Sequence, residues 1–289
     1  MKLGIIGQGF VGTAVLEGLK TFFDIETYDI AKESTCDSLD EICKKSKILF
    51  VCLPTPMKRD GSCYIGIVEE VLEKINALNS FCKTVIIKST IPPGTTAKWN
   101  EKFDNLDIVF NPEFLTEANS INDFKNQNRI IIGGPKKAAS KVRRLFVKAF
   151  PKVQIIKTDS TYAEMVKYVT NCFLATKVSF ANEMYQICEG LDIDYDKVVE
   201  YAIHDERMGY SHWSVPGPDG DMGFGGHCFP KDINGLIQVA HDLGMSPRML
   251  EATNIKNNEV RNNRDWEKME GRAVWSGTEE EQNGISSNS

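Results

Sequence analysis

Leu3-Gly4-Ile5-Ile6 runs directly into Gly7-Gln8-Gly9-Phe10-Val11-Gly12, and Val11, Ala14, Val15 and Leu19 then recur at helical spacing. This reads as a buried strand, a GxGxxG turn and an amphipathic helix. Such a turn lets a pyrophosphate approach the backbone closely at a helix N-terminus. By itself GxGxxG is a weak signal. It is strengthened by a second strand, Ile25-Glu26-Thr27-Tyr28, that ends in Asp29. An acid about 20 residues past the loop is placed to hold the ribose hydroxyls of NAD and disfavours the extra phosphate of NADP. The plainer alternative for Asp29 is a capping aspartate.

Moving outward, Lys47-Ile48-Leu49-Phe50-Val51-Cys52-Leu53 reads as a third buried strand, closed by Pro54-Thr55-Pro56. Ile67, Val68, Val71, Leu72, Ile75 and Leu78 recur at helical spacing. Thr84-Val85-Ile86-Ile87 leads into Lys88-Ser89-Thr90-Ile91-Pro92-Pro93-Gly94, and Asp107-Ile108-Val109-Phe110 into Asn111-Pro112-Glu113-Phe114-Leu115-Thr116-Glu117. A sixth strand begins at Arg129-Ile130-Ile131-Ile132, a basic helix covers 136–150, and Val153-Gln154-Ile155-Ile156 is the last strand. Strands alternating with helices imply an α/β, doubly wound, mostly parallel sheet of Rossmann type. Ligands of such sheets bind beyond the carboxyl ends of the strands. Asp29, Thr55, Thr90, Glu113 and Glu117 all fall at such ends, which makes them a candidate site.

The composition fits a globular protein of two domains: 289 residues, a net charge of −6, and ordinary charged and apolar fractions. So mild a charge gives no reason to expect a nucleic-acid partner. The N-terminus enters a strand at once, with no signal peptide, and no apolar run approaches the roughly 18 residues a bilayer requires. Eight cysteines without a CxxC pair point to reduced thiols and a cytoplasmic location. Four histidines without ligand spacing argue against a metal site.

From Thr161 to Glu189 there is neither Gly nor Pro, and apolar residues surround much of the implied helix. Such a helix is buried against other helices or a second subunit. Lys167 and Asn171 lie at i and i+4 on it and share a face; together they could hold an oxyanion, or they are a solvated lysine beside an asparagine. Gly, Pro and aromatic residues mark 205–221 as loop. Then comes Gly223-Phe224-Gly225-Gly226-His227-Cys228-Phe229-Pro230-Lys231-Asp232. A thiol at the end of a glycine loop can reach a bound substrate, and a nearby lysine favours thiolate. Equally, cysteines are common small core residues. The stretch alone leaves the two readings even.

Taken together, GQGFVG, the Pro54-Thr55-Pro56 turn, KSTIPPG, NPEFLTE, the Lys167/Asn171 pair, Arg207-Met208-Gly209 and GFGGHCFPKD resemble the UDP-glucose/GDP-mannose dehydrogenase family, in the family's order and over nearly the whole chain. The resemblance implies oxidation of a nucleotide-sugar C6 alcohol, with UDP-glucose foremost, to the carboxylate, using two NAD and one water. It implies Cys228 as nucleophile, Lys167 and Asn171 as oxyanion donors, Asp232 with Thr90 handling water and protons, and Glu113 as acid/base. NAD would contact Gly7, Gln8, Gly9, Phe10, Val11, Gly12, Asp29, Pro54, Thr55, Thr90 and Glu117. Substrate would contact Glu113, Phe114, Leu115, Glu117, Lys167, Asn171, Gly223, Phe224 and Gly225. Arg207 matches an arginine that reaches a neighbouring subunit's nucleotide sugar, which makes the long helix a homodimer interface.

The resulting division is an NAD-binding domain over 1–157, an all-α domain with a long central helix over 158–266, and a polar, disordered tail over 267–289. Family members usually continue into a second Rossmann-like domain that grips the nucleotide; here the matching residues stop after the central helices, so a partner chain is one source of that grip. Two other readings compete. A β-hydroxyacid-type dehydrogenase shares the glycine loop, the long helix and the lysine/asparagine pair but needs no cysteine. A non-catalytic NAD-binding remnant has no use for Cys228, Lys167, Asn171 and Asp232 together.

Overall fold

The structure, a computed structural model, describes residues 1–78 and 84–277. Two compact units divide the chain: Met1–Thr55 with Ile65–Lys167, and Pro56–Tyr64 with the chain from Tyr168 on.

In the first unit β1 (Lys2–Ile6), α1 (Phe10–Leu19), β2 (Asp24–Tyr28), α2 (Leu39–Lys45), β3 (Ile48–Val51), α3 (Gly66–Ala77), β4 (Thr84–Ile87), α4 (Thr95–Lys102), β5 (Asp107–Phe110), α5 (Ser120–Lys125), β6 (Arg129–Gly133), α6 (Lys136–Ala149) and β7 (Gln154–Thr158) follow one another. The strands form one sheet in the order β2-β1-β3-β4-β5-β6-β7. Every neighbouring pair is parallel except β5 and β6, which meet antiparallel at Phe110 and Gly133.

The expected doubly wound α/β sheet is therefore present, and its strands show why they were legible. β3 and β4 are buried along their whole length, as strands covered on both faces must be. Successive side chains alternate between two cores. Leu3, Ile5, Phe50, Ile86, Val109, Ile130 and Ile132 join Val15, Leu19, Phe124 and Phe146 on one face. Ile6, Leu49, Val51, Val85, Ile87, Ile108, Phe110 and Ile131 join Leu72 and Trp99 on the other. Each such side chain contributes about 1.5–3 kcal/mol by leaving water. Sheet order reverses at β1, since β2 lies on one side of it and β3 on the other. The crevice beyond their carboxyl ends is the place such a fold offers a ligand.

The helix α7 (Ser160–Gly190) is the long run expected from the sequence, and its residues up to Lys167 belong to the sheet unit. The second unit holds the rest of α7 with α8 (Tyr195–Ala202), α9 (Phe229–Asp242) and α10 (Arg248–Val260). Tyr168, Cys172, Ala175, Phe224 and Ile233 form one core there; Ala181, Cys188, Tyr195 and Val215 form another.

Two boundaries differ from the sequence reading. The division falls inside α7, after Lys167 rather than after 157, and residues 56–64 belong with the helices. The expected tail is also shorter than 267–289. Met57 N–H donates to Ala273 O and Trp275 N–H to Met57 O, both at 2.8 Å, and Trp275 stacks on Tyr64 with ring centroids 3.7 Å apart. Trp266 and Ala273 are buried. A few well-placed apolar residues and a paired backbone thus fix a segment whose average polarity suggested disorder; the rest of the expected tail, 278–289, lies outside the described residues.

Candidate active site

The glycine turn is held from several sides. Gly7 takes φ +89°, in the left-handed region, and a Cβ there would lie 2.5 Å from Cys52 O. A Cβ on Gly12 would lie 1.9 Å from Gly7 O, so only glycine lets α1 start this close to β1. Asp29 accepts from Gln8 N–H through one oxygen and from Ala31 N–H through the other, at 2.5 and 2.8 Å. Lys32 Nζ donates to Gln8 O at 2.6 Å. A carboxylate with two lone-pair sites on each oxygen keeps capacity for ribose hydroxyls after these bonds. Gly9, by contrast, has nothing within 4 Å of its missing Cβ. Constrained glycines on either side of an open one, at the start of a helix, fit the pyrophosphate of a dinucleotide. Gly7 to Gly12 would hold the phosphates, and Asp29 the ribose.

Beyond β4 and β5 lies a cluster of buried charge. Lys167 Nζ donates to Glu113 Oε1 at 2.7 Å and to Glu113 O at 2.8 Å, with both side chains buried. Burial alone would raise the Glu113 carboxyl, but Lys167, the Leu115 N–H and Lys88 together hold it below the usual carboxylate range. Glu113 is therefore an anion at neutral pH. Lys88 Nζ donates to Asn111 Oδ1 at 2.9 Å, and Asn111 Nδ2 donates to Ile131 O at 2.7 Å. Burial pulls the Lys88 ammonium down to about 8. Thr55 Oγ1 donates to Thr90 O at 2.7 Å, tying the ends of β3 and β4 together. Phe114 lies under the Arg129 guanidinium, 4.3 Å from the ring centroid. Pro54 and Glu117 are exposed.

Sequence reasoning missed Lys88 as a site-builder, and it missed Glu164. The Glu164 carboxylate accepts from Gly94 N–H at 2.6 Å and Thr96 N–H at 2.8 Å, which caps α4 and fixes the loop that follows Thr90. A partner about 70 residues away leaves no local signal.

In the helical unit, Cys228 is the N-cap of α9, and Asp232 N–H donates to its carbonyl at 2.9 Å. Asp232 is almost fully buried. Its Oδ1 accepts from Lys231 Nζ at 2.6 Å and its Oδ2 from Asn171 Nδ2 at 2.6 Å. Burial would lower the Lys231 ammonium, but the Asp232 carboxylate, with Cys63 and Cys228 close by, holds it above the ordinary lysine range. The structure thus brings Cys228, Asn171 and Asp232 together with Lys231, the lysine expected near the thiol, which is bonded to Asp232. Lys167 and Asn171, read as one pair, have different partners: Glu113 for the lysine and Asp232 for the asparagine. Phe224 is a core side chain, and Asn257 bonds its main chain at both N–H and O. Arg207 is exposed, and its Nε donates to Asp205 Oδ1 at 2.8 Å. Among the described residues no three His, Cys, Asp or Glu side chains form a metal-binding group.

The glycine turn, the acid after β2 and the sheet order define a dinucleotide-binding protein. Residues 31–150 match the NAD binding domain of the UDP-glucose/GDP-mannose dehydrogenase family, and residues 161–259 match its central domain. The chain belongs to this family. It is 34% identical over 296 residues to UDP-glucose 6-dehydrogenase TuaD of Bacillus subtilis, covering 89% of this chain and 63% of that protein. Against UDP-glucose 6-dehydrogenase AglM of Haloferax volcanii it is 30% identical, covering 87% and 68%. Among solved structures, a UDP-glucose dehydrogenase from Pyrobaculum islandicum superposes with a TM-score of 0.80 at 26% identity, over 89% of this chain and 68% of that one. A 3-hydroxyisobutyrate dehydrogenase of Mycobacterium tuberculosis gives 0.72 at 15% identity, over 89% and 93%, a likeness of fold alone. The chain spans 63% of TuaD and 51% of a Rickettsia bellii UDP-glucose 6-dehydrogenase.

Proposed function

We propose that the chain oxidises the C6 alcohol of a nucleotide sugar to the carboxylate, with UDP-glucose as substrate and UDP-glucuronate as product. The observation that carries this reading is Cys228 at the head of α9, beside the buried Lys231–Asp232–Asn171 cluster. When bound, NAD supplies the hydride acceptor for both oxidations. Cys228 Sγ adds to the C6 aldehyde and holds it as a thiohemiacetal, which still carries the hydrogen that the second oxidation removes. Water then cleaves the C–S bond of the thioester, releasing the carboxylate and the thiol.

Lys167 and Asn171 donate to the oxyanion at each tetrahedral stage. Glu113, ionised in the resting protein, serves as acid/base in the hydrolysis, while Asp232 and Thr90 order water and protons. Pro54, Thr55 and Glu117 assist the glycine turn in holding the cofactor; Phe114, Leu115 and the Gly223–Gly225 main chain face the sugar. A homodimer through α7, with Arg207 reaching the neighbour's substrate, belongs to the same reading. It is supported by Tyr162, Val169, Phe173, Phe180 and Ile187, exposed apolar side chains at helical spacing. A cytoplasmic setting belongs to the same reading.

A Cys228→Ala variant tests the chemistry. Loss of UDP-glucuronate with the fold intact is the expected result. Unchanged turnover would indicate a single oxidation of the β-hydroxyacid type, and no NADH from the wild type across a panel of nucleotide sugars would indicate a remnant.

A further inference from the structure

The glycines before Cys228 rest on a built support. Arg261, at the end of α10, has a side chain only 1% exposed. Its Nη2 donates to Asp219 Oδ2 at 2.6 Å and to Asp265 Oδ1 at 3.4 Å, its Nη1 to Met222 O at 3.4 Å, and its Nε to Asn263 O at 2.8 Å. Asp221 lies 3.7 Å from the same guanidinium and accepts from Asn263 N–H at 2.8 Å. One buried cation therefore gathers three aspartates from both sides of the cysteine loop.

Asp265 in turn accepts the Gly226 N–H with both oxygens, each at 3.1 Å. Gly225 lies so close to this pair that a Cβ on it would stand 2.2 Å from Arg261 Nη2 and 2.4 Å from Asp265 Oδ1. One step back along the loop, Asn257 holds Phe224 from both sides, its Oδ1 accepting from Phe224 N–H at 2.7 Å and its Nδ2 donating to Phe224 O at 3.0 Å. Cys228 follows Gly226 by two residues and opens α9. All these groups lie in one compact unit.

We propose that Arg261 and Asp265 are positioning residues for Cys228, fixing the nucleophile through the Gly225-Gly226 main chain. This rests on the reading of Cys228 as nucleophile. The loop is rich in glycine and would sample many conformations without a fixed anchor. An ionised carboxylate that accepts the Gly226 N–H with both oxygens, beside a buried guanidinium, supplies that anchor. Arg261 Nη2 approaches Asp265 Oδ1 at 3.4 Å, which couples the aspartate to the buried cation.

The test compares Asp265→Ala, Asp265→Asn and Gly225→Ala with the wild type. Removing Arg261 itself would leave three aspartates without their cation, so that variant is avoided. Gly225→Ala keeps both charges and pushes the loop off the pair. Three readouts are needed: thermal unfolding, alkylation of Cys228 by iodoacetamide against a Cys228→Ser background, and steady-state NADH formation. Asp265→Ala and Gly225→Ala are expected to slow Cys228 alkylation at least fivefold and kcat at least tenfold, with KM for NAD unchanged. Asp265→Asn, which retains one acceptor oxygen for Gly226 N–H, is expected to recover most of both. Wild-type alkylation rates in either folded variant would overturn the proposal, and the other variant decides if one fails to fold. If alkylation slows as expected while the wild type forms no NADH with any nucleotide sugar, the positioning role stands and the assigned reaction fails.

Discussion

Replacing Lys167 with Met leaves the Glu113 carboxylate buried without its main partner. The side chains of the pair are only 3% and 6% exposed, and Lys167 makes two bonds to Glu113, at 2.7 and 2.8 Å. Breaking a buried pair by removing one partner costs about 3–5 kcal/mol. For a unit of this size that corresponds to a fall in Tm of roughly 6–20 °C. The pH dependence separates this account from simple loss of packing. In the wild type the Glu113 carboxyl is held below the usual carboxylate range, so its stabilisation is fully present above that range and is lost as pH falls through the lower, folded-state pKa. In the variant, burial is opposed mainly by the Leu115 N–H and Lys88, and the balance shifts toward the protonated acid. The variant is then penalised at pH 7 and relieved as the carboxyl takes up its proton. The stability gap, measured by denaturant unfolding at each pH, should at least halve between pH 7 and pH 4. An equal or wider gap at pH 4 would show that Lys167 does not keep Glu113 ionised. A Lys167→Met/Glu113→Gln double variant should recover more than 1 kcal/mol over the single one, since the buried carboxylate that lost Lys167 is then neutral.

Other expectations follow from neighbouring geometry. Lys88 is depressed from 10.5 to about 8, so its ammonium is penalised below pH 8 and that penalty lifts as pH rises toward 10.5. Wild type should therefore gain up to about 3 kcal/mol relative to Lys88→Met across that window; parallel curves by denaturant unfolding would contradict the assignment. Gly9→Ala meets open space and should unfold like the wild type, yet weaken NAD binding roughly tenfold, about 1.4 kcal/mol, by calorimetry. Unaltered affinity would remove the glycine turn from the cofactor site. Phe173→Glu places a charge on the exposed face of α7 and should reduce the mass in light scattering from two chains to one, with little change in Tm; a wild type already monomeric would exclude the α7 dimer.

The sequence displayed the sheet and the glycine turn because both are local. Short buried runs such as Ile48–Val51 and Thr84–Ile87 have few other uses, and within the turn itself Gly7 takes a left-handed φ while Gly12 packs against Gly7 O. The cysteine loop was also legible, since Cys228, Lys231 and Asp232 sit within one turn of α9. What could not be read was long-range polar pairing. Glu164 looks like any helical glutamate until it is seen capping α4. Arg261 and Asp265 look like surface charges until the loop they support is seen against them. Met269, Ala273, Val274 and Trp275 are apolar, but the polar run that begins at Ser276 masks them; the segment is fixed by backbone pairing with Met57.

The measurement that tests the assigned chemistry most directly is the amount of NADH formed per UDP-glucose consumed by the purified chain. Attack by Cys228 on the aldehyde predicts two NADH per sugar, with UDP-glucuronate as the product and no aldehyde released. One NADH per sugar with the aldehyde accumulating would contradict it.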